Sequence, residues 1–214
     1  MADFVYLDNA ATSYPKPPQV LHFMTEFYAS CGVNPGRTGF DLAIRAEETV
    51  LETRQALTHF FGGTDRNRLV FGHNVTDALN LLISSVLEPG DHAISTRLEH
   101  NSVLRPLHFH SRRGVGVDLV PFDPRGFVDP TDIEALIRPE TKLVVMNHGS
   151  NVIGTIQAVA EVGAICRRRG VLFAVDAAQT AGLVDIDIEA MHIDVLCFTG
   201  HKSLVAPPGT GGMY

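Results

Sequence analysis

Short apolar runs alternate with segments of helical period from about residue 68 onward. Runs rich in β-branched and apolar residues predict strands at 68–71, 92–95, 115–120, 142–146, 171–175 and 194–198. The segments between most of them predict helices at 76–87, 101–113, 130–137 and 159–169. Strand and helix in alternation at this spacing are typical of an α/β fold with a mostly parallel sheet sandwiched by helices.

Two further helices are predicted before this alternation, at 18–30 and 41–61. The second places five apolar side chains on one stripe: Ala43, Ala46, Val50, Leu57 and Phe61. The basic run Arg167–Arg169 closes a predicted helix just before Gly170, where cations favour the helix dipole and the last carbonyls. No internal repeat or linker interrupts the chain.

The carboxyl-terminal residues 211–214 resemble the opening of one more strand. A strand left unpaired at the end of a domain exposes backbone donors and acceptors. We therefore expect the chain to be a fragment, incomplete at its carboxyl terminus.

The net negative charge of the chain bears on which classes of partner it could bind. The chain has 24 acidic and 17 basic residues, a formal charge of −7, which argues against nucleic acid and anionic membranes as partners. No apolar stretch approaches the roughly 18 residues that a membrane span needs. Three cysteines without a C-x-x-C pair predict a cytoplasmic protein and exclude a zinc ribbon or a disulfide scaffold; no metal site is predicted.

Polar residues follow five successive predicted strands. These strand exits are 72–77, 99–101, 147–151, 176–179 and 199–202. In an open parallel sheet, ligands bind beyond the carboxyl ends of the strands, so the five exits are expected to converge on one pocket. Loops and helix caps use the same residue types, so any one exit alone carries little weight.

The first exit contains Asn74 and, three residues later, Asp77, a pattern typical of a plain helix start. A helix amino terminus that carries the Thr76 hydroxyl is also a seat for a phosphate, because free amides and the dipole both favour an anion. The two interpretations are compatible.

Three other exits carry titratable groups. Asp176 leaves a buried strand; it is either a helix cap or the acid that keeps a ligand's ring nitrogen protonated. Lys202 is either an ordinary surface lysine or a desolvated amine able to form a Schiff base. His100 is either a solvated loop residue or a flat ring that stacks on a planar ligand or transfers a proton. A phosphate seat, a ring-nitrogen acid and a Schiff-base lysine together describe pyridoxal 5′-phosphate (PLP).

Six ordered motifs carry a family resemblance. They are residues 6–12, 34–37, 99–103, 148–154, 176–179 and 199–202. In this order they resemble the class V aminotransferases, and among these the chain is most similar to cysteine desulfurases, from about residue 4 to its last residue. The resemblance implies the large domain of a fold-type I PLP enzyme at 41–214, after an amino-terminal segment and helix at 1–40, without the family's carboxyl-terminal small domain.

The resemblance also implies roles for individual residues. Lys202 would form the Schiff base with PLP and His100 would stack on its ring, these two being the catalytic residues. Asp176 would pair with the ring nitrogen, and Gln179 would contact the phenolic oxygen. The remaining implied contacts are phosphate binding at Thr76, Thr199 and His201, cofactor contact at Asn74 and Val75, cofactor and substrate contact at Asn151, and substrate contact at Ala10 and Ala11.

The implied activity is removal of sulfur from L-cysteine to give alanine, with transfer to an enzyme cysteine that lies beyond the end of this chain. None of Cys31, Cys166 and Cys197 matches that cysteine. Where relatives show Gly-Thr-Thr at the phosphate loop, this chain has Asn74-Val75-Thr76 and lacks one hydroxyl. A homodimer and a sulfur-acceptor protein are implied for the full-length form. Another class V activity, such as an aminotransferase or selenocysteine lyase, and a non-catalytic fragment are the alternatives.

Overall fold

The protein is described by a computed structural model that covers residues 4–36 and 39–214; Arg37, in the second of the six motifs, lies outside them. The helices are α1 (Pro18–Cys31), α2 (Asp41–Phe60), α3 (Val75–Val86), α4 (Asn101–Ser111), α5 (Pro130–Leu136) and α6 (Val159–Arg169). The strands are β1 (Val70–Gly72), β2 (His92–Thr96), β3 (Gly116–Val120), β4 (Thr141–Asn147), β5 (Leu172–Asp176), β6 (Val195–Thr199) and β7 (Gly211–Met213).

Most predicted elements are confirmed to within two residues, and the differences have local causes. The first strand begins at Val70 rather than 68, because residues 66–68 form a 3-10 turn whose Asn67 amide donates to the Asp65 carboxylate. Helix α4 ends at Ser111 rather than 113. Helix α6 ends as predicted at Gly170, which adopts the left-handed conformation (φ 67°) that favours glycine.

The strands form one seven-stranded sheet in the order β1-β7-β6-β5-β4-β2-β3. All neighbouring pairs from β6 to β3 are parallel, and β7 is antiparallel to both of its neighbours. The prediction of a mostly parallel sheet is confirmed. The carboxyl ends of β4, β5 and β6 therefore meet at one edge of the sheet, which places the polar residues that follow them side by side.

The position of β7 corrects an expectation. An unpaired edge was expected at the carboxyl terminus, but β7 lies inside the sheet and pairs with β1 on one side and β6 on the other. Glycine makes this insertion possible: a Cβ on Gly212 would lie 2.2 Å from the Val70 carbonyl oxygen, and one on Gly211 would lie 2.7 Å from Asn74 Cα. The backbone of β7 thus approaches the start of α3 closely.

Two apolar cores cover the two faces of the sheet. On one face α3 and α4 contribute Leu79, Ile83, Val103 and Leu107, against strand residues such as Val145. On the other face α5 and α6 contribute Ile133, Val162 and Cys166, against strand residues such as Phe173. Strand neighbours such as Val144 and Val145 face opposite cores, as the pleat requires. Within the described ranges no helix is both long and apolar enough to cross a bilayer.

Candidate active site

A cavity of about 500 Å³ lies at the carboxyl ends of β4, β5 and β6. Every residue that the sequence analysis singled out as a site residue lines it. These are Ala10, Ala11, Asn74, Val75, Thr76, His100, Asn151, Asp176, Gln179, Thr199, His201 and Lys202. The predicted convergence of the strand exits on one pocket is therefore confirmed, while the role of each residue remains a prediction.

The amino terminus of α3 forms one wall of the cavity. The Asn74 side-chain oxygen accepts a hydrogen bond from the Asp77 amide at 2.9 Å, the cap that the sequence predicted. The amides of Val75 and Thr76 stand in the first turn, where a helix supplies no partner of its own. These amides, the Thr76 hydroxyl and the positive end of the helix dipole suit an anion.

Asp176 ends β5 and is almost fully buried, with 4 % of its surface exposed. Its Oδ1 atom accepts a hydrogen bond from the Ala178 amide at 2.9 Å, which orients the carboxyl group. Burial raises the pKa of Asp176, and the Ala178 amide and the nearby Lys202 and His100 oppose that rise. Buried acids of this kind discriminate sharply between protonated and neutral ligand groups.

Lys202 follows β6 in a loop that the backbone holds tightly. The Gly200 amide donates to the Thr210 carbonyl at 2.8 Å, and the Val205 amide donates to the Lys202 carbonyl at 2.8 Å. Burial lowers the pKa of the half-buried Lys202 amine, and the Asp176 carboxylate opposes the change. A lowered pKa increases the fraction of neutral amine, the form that attacks a carbonyl group.

Two histidines stand on either side of the cavity. His100 caps α4: its Nδ1 accepts from the Ser102 amide at 3.2 Å, which turns Nε2 away from the helix. His201 Nδ1 lies 3.0 Å from the Thr12 hydroxyl. Burial lowers the pKa of His201, as do the charges of Lys202 and Lys16, so its ring is neutral at pH 7. A neutral imidazole can either donate or accept a hydrogen bond.

The amino-terminal segment, residues 10–16, is hydrogen-bonded to the loop that carries Lys202, here called the lysine loop. The His201 carbonyl accepts from the Thr12 hydroxyl at 2.8 Å and from the Lys16 amine, and the Lys202 carbonyl accepts from the Ser13 hydroxyl at 2.8 Å. The Gln179 amide donates to the Ala10 carbonyl at 3.0 Å. Ala10 and Ala11 thereby reach the cavity. The sequence analysis predicted these two residues for the site but not the contacts that bring them there.

Five cavity residues were not assigned a role from the sequence: Asp8, Ser102, Asn147, Gly149 and Ala178. Asn147 and Ala178 lie next to predicted strand ends, and this position is the sequence signal that could have identified them as cavity residues. In the part of the chain that the structure describes, no cluster of His, Cys, Asp and Glu side chains is arranged to hold a metal ion.

Comparison with known proteins relates the chain to cysteine desulfurases. A protein of Methanothermobacter thermautotrophicus named as a probable cysteine desulfurase is 36 % identical over 215 residues, which span all of this chain and 53 % of that protein. The cysteine desulfurase IscS of Glaesserella parasuis is 35 % identical over 98 % of this chain and 52 % of its own length. The chain thus spans about half the length of the curated relatives it matches.

Solved structures agree with the fold. The cysteine desulfurase of Thermococcus onnurineus superimposes with a TM-score of 0.92 at 34 % identity, over 98 % of this chain and 53 % of that one. The protein SspA, solved in complex with cysteine, gives a TM-score of 0.91 at 29 % identity over 99 % and 61 % of the two chains. The class-V aminotransferase family matches residues 5–214. The chain therefore belongs to the class-V aminotransferase family and has the fold-type I architecture of its cysteine desulfurases.

Proposed function

We propose that this chain forms the cofactor-binding part of a PLP-dependent cysteine desulfurase. The observation that carries the proposal is the meeting of three groups in one cavity: the half-buried Lys202 amine, the buried Asp176 carboxyl group and the amino terminus of α3. The similarity of the chain to named cysteine desulfurases supports this activity over that of other class V enzymes.

The wall formed by α3 fits the phosphate of PLP. Val75 and Thr76 offer backbone amides, and Thr76 adds a hydroxyl donor. Across the cavity, Thr199 and the neutral His201 ring complete a set of donors. Val75 has no side-chain hydroxyl, and in this proposal it contributes only its backbone amide. We therefore expect phosphate binding with one side-chain contact fewer.

The floor of the cavity fits the pyridine ring. Asp176 Oδ1 is occupied by the Ala178 amide, and within the described ranges no group donates to Oδ2. In the proposal Oδ2 would accept a hydrogen bond from the protonated ring nitrogen, His100 would cover the ring, and Gln179 would contact the phenolic oxygen. When bound, PLP supplies an electron-accepting ring that stabilises negative charge at the substrate Cα.

Lys202 has two tasks in this proposal. Its neutral amine, favoured by burial, holds the cofactor covalently through Nζ. The same amine would also lie beside the substrate, where it could accept and return the Cα proton. Asp176 keeps the ring nitrogen protonated during this step, and the residues 10–16 that cover the lysine loop limit access of water.

The substrate part of the proposal is L-cysteine. SspA, the structural neighbour solved with cysteine, supports a cysteine-sized ligand, and Ala10, Ala11 and Asn151 line the corresponding side of the cavity. All three cysteines of this chain are buried, so none is the thiol that receives sulfur. We place that thiol in the part of the relatives' length that this chain does not span. A homodimer, a sulfur-acceptor protein and a cytoplasmic location complete the proposal.

The cofactor site can be tested by trapping PLP on a lysine, because the chain has few lysine side chains. The chain has only three lysines, Lys16, Lys142 and Lys202. After incubation with PLP and reduction by borohydride, mass spectrometry should find the adduct on Lys202, and the Lys202→Ala chain should lose it. Lys142→Ala, on an exposed position of β4, is the matched control and should retain it. An adduct on Lys16 or Lys142 would refute the assignment.

The test of the reaction uses the full-length protein. We expect release of equal amounts of alanine and sulfide from L-cysteine in the presence of a thiol reductant. Selenocysteine cleavage much faster than cysteine cleavage would favour a selenocysteine lyase, and amino transfer to a 2-oxo acid without sulfide would favour an aminotransferase. A protein that binds PLP at Lys202 but turns over none of these substrates would refute the activity and leave the cofactor site intact.

A further inference from the structure

A buried carboxyl group that has no place in the proposed chemistry lies next to His100. Glu99 is 7 % exposed. Its Oε1 atom accepts hydrogen bonds from the Thr96 hydroxyl at 2.6 Å and from the Asn147 amide at 3.0 Å. The Asn147 side-chain amide donates to the Leu98 carbonyl at 2.8 Å. These bonds fasten the segment between β2 and His100 to the carboxyl end of β4.

Two hydrogen-bond acceptors of this cluster have no donor among the described residues. The donors of its hydrogen bonds are the Thr96 hydroxyl, the backbone amides of Leu98 and Asn147, and one N–H of the Asn147 side chain. Glu99 Oε2 and Asn147 Oδ1 are buried and have no partner in the described part of the chain. An unpaired charged oxygen is costly to bury, whereas a proton on Oε2 removes the charge and makes this atom a hydrogen-bond donor.

A second buried carboxyl group lies close by. Asn147 and Asp176 are partners in the parallel register of β4 and β5, so the Glu99 cluster lies against the strand end that carries Asp176. The Lys202 amine and the His100 ring face this pair, and both favour the charged form of Asp176. Burial raises the pKa of Glu99 to about 8, and the Asp176 charge contributes to the rise, while bonds from Thr96 and Asn147 oppose it.

We infer that Glu99 is a positioning residue that stays a neutral carboxylic acid at pH 7 and fastens the His100 segment to β4. Its significance for a bound ring rests on the proposed function, since Asp176 would then face the ring nitrogen without a second negative charge beneath it. The protonation of Glu99 is a property of the chain alone, and it can be tested without PLP.

Infrared spectroscopy tests the protonation directly. Glu99 is the only glutamate that is buried in the described ranges. The chain prepared with glutamate labelled by ¹³C at the side-chain carboxyl should show, at pH 7 and without PLP, a carboxylic acid C=O band that the label shifts. This measurement needs no substitution. Absence of a label-sensitive acid band would overturn the inference, whatever the outcome of the PLP experiments.

Two variants show whether the acid band comes from Glu99. Glu99→Gln should remove the acid band, and Asp176→Asn, the matched control, should leave it in place. If Glu99→Gln leaves the label-sensitive band in place, another glutamate holds the proton and the inference is wrong. A failure of both variants to fold leaves the labelled spectrum of the unaltered chain as the deciding result.

The pH dependence of stability gives an independent measurement. A carboxyl group with a raised pKa takes up a proton on folding, so its contribution to stability is lost as pH rises from its ordinary value of 4.5 through about 8. Relative to Glu99→Gln, the unfolding constant of the unaltered chain should therefore rise by up to about tenfold per pH unit in this window. Parallel pH profiles for the two proteins would contradict the inference.

Discussion

The Ser13 hydroxyl donates a hydrogen bond of 2.8 Å to the backbone carbonyl of Lys202, joining the amino-terminal segment to the loop that carries the proposed cofactor lysine. The Lys16 amine contacts the same hydroxyl at 2.7 Å, so Ser13 stands between the segment and the loop. The bond acts on the backbone of the loop and leaves the Lys202 amine free. The segment thus sets the position of the amine without taking part in its chemistry.

Removal of this hydroxyl should loosen the lysine loop. We expect Ser13→Ala to cost about 1 kcal/mol of stability, the usual net contribution of one hydrogen bond. We also expect PLP binding to weaken by up to about fivefold, the ratio that this energy represents. The control is Ser30→Ala, whose hydroxyl bonds within the exposed helix α1 at 2.7 Å. Equal PLP affinities for the two variants, measured by absorbance titration, would show that the contact does not position the loop.

Asp176→Asn should affect turnover much more than it affects PLP binding. The amide keeps the shape of the carboxyl group and can keep the bond from Ala178, but it cannot hold a ring nitrogen protonated. In the full-length protein we expect turnover to fall by at least about a hundredfold, the scale of one lost electrostatic stabiliser. PLP occupancy should change much less. Unchanged turnover would remove Asp176 from the mechanism.

Gly211→Ala should damage both the sheet and the cavity. The added Cβ would lie 2.7 Å from Asn74 Cα and 2.8 Å from the Phe198 carbonyl oxygen, both backbone atoms that cannot turn aside. We expect a loss of about 1–3 kcal/mol, as in other overpacked sites, measured by urea unfolding. Gly39→Ala, where nothing lies within 4 Å of the new Cβ, is the control and should change stability by less than about 0.5 kcal/mol.

Acid should destabilise the chain through His92, which is fully buried at the start of β2. The Asp118 carboxylate accepts from the His92 Nε2–H at 3.1 Å, so in the neutral ring Nδ1 accepts from the Thr141 hydroxyl at 2.8 Å. This arrangement suits the neutral ring. Burial and the Arg138 charge lower the pKa of His92 in the folded chain, while Asp118 opposes the change.

The sign of the effect follows from proton binding. Below the ordinary value of 6.5 the unfolded chain binds a proton at this position and the folded chain does not, so stability falls as pH falls. Burial lowers the pKa values of His148 and His201 as well, and these residues act in the same direction. His92→Gln should flatten the decline in urea midpoint below pH 6.5, whereas the exposed His22→Gln should not. Equal slopes for both variants would refute this role.

The cysteines should be unreactive in the folded chain. Burial raises the pKa of Cys166 to about 12 and raises that of Cys197 further, so neither forms the thiolate that reacts. Cys31 is buried and its thiol contacts the Leu42 carbonyl at 3.1 Å. A disulfide reagent should label none of the three thiols until a denaturant is added. Rapid labelling of one thiol in the native chain would make that cysteine a candidate nucleophile.

Local features of the fold were predictable from the sequence because short-range physics determines them. The Asn74 cap, the end of α6 at Gly170 and the buried strand around Phe173 each depend on residues a few positions apart. The convergence of the strand exits was also predictable, because parallel strands must place their carboxyl ends at one edge.

Long-range pairing was not predictable in the same way. The apolar pattern around Gly212 indicates a strand but not its direction or its neighbours, and the insertion of β7 depends on backbone contacts with Val70. The bonds from Thr12 and Ser13 to the lysine loop likewise leave no periodic signal. Glu99 was visible only as a polar residue at a strand exit, since its burial depends on how β2 and β4 pack together.

The placement of β7 also has a consequence for the order in which the chain can assemble. Strand β1, which leads into the amino terminus of α3, joins the sheet only through β7, which is made after Lys202. During synthesis the strands emerge in chain order, so β1 has no sheet partner until residues 211–213 have left the ribosome. The edge of the sheet beside the amino terminus of α3 is therefore completed last, after β5 and β6, the strands that lead to Asp176 and Lys202.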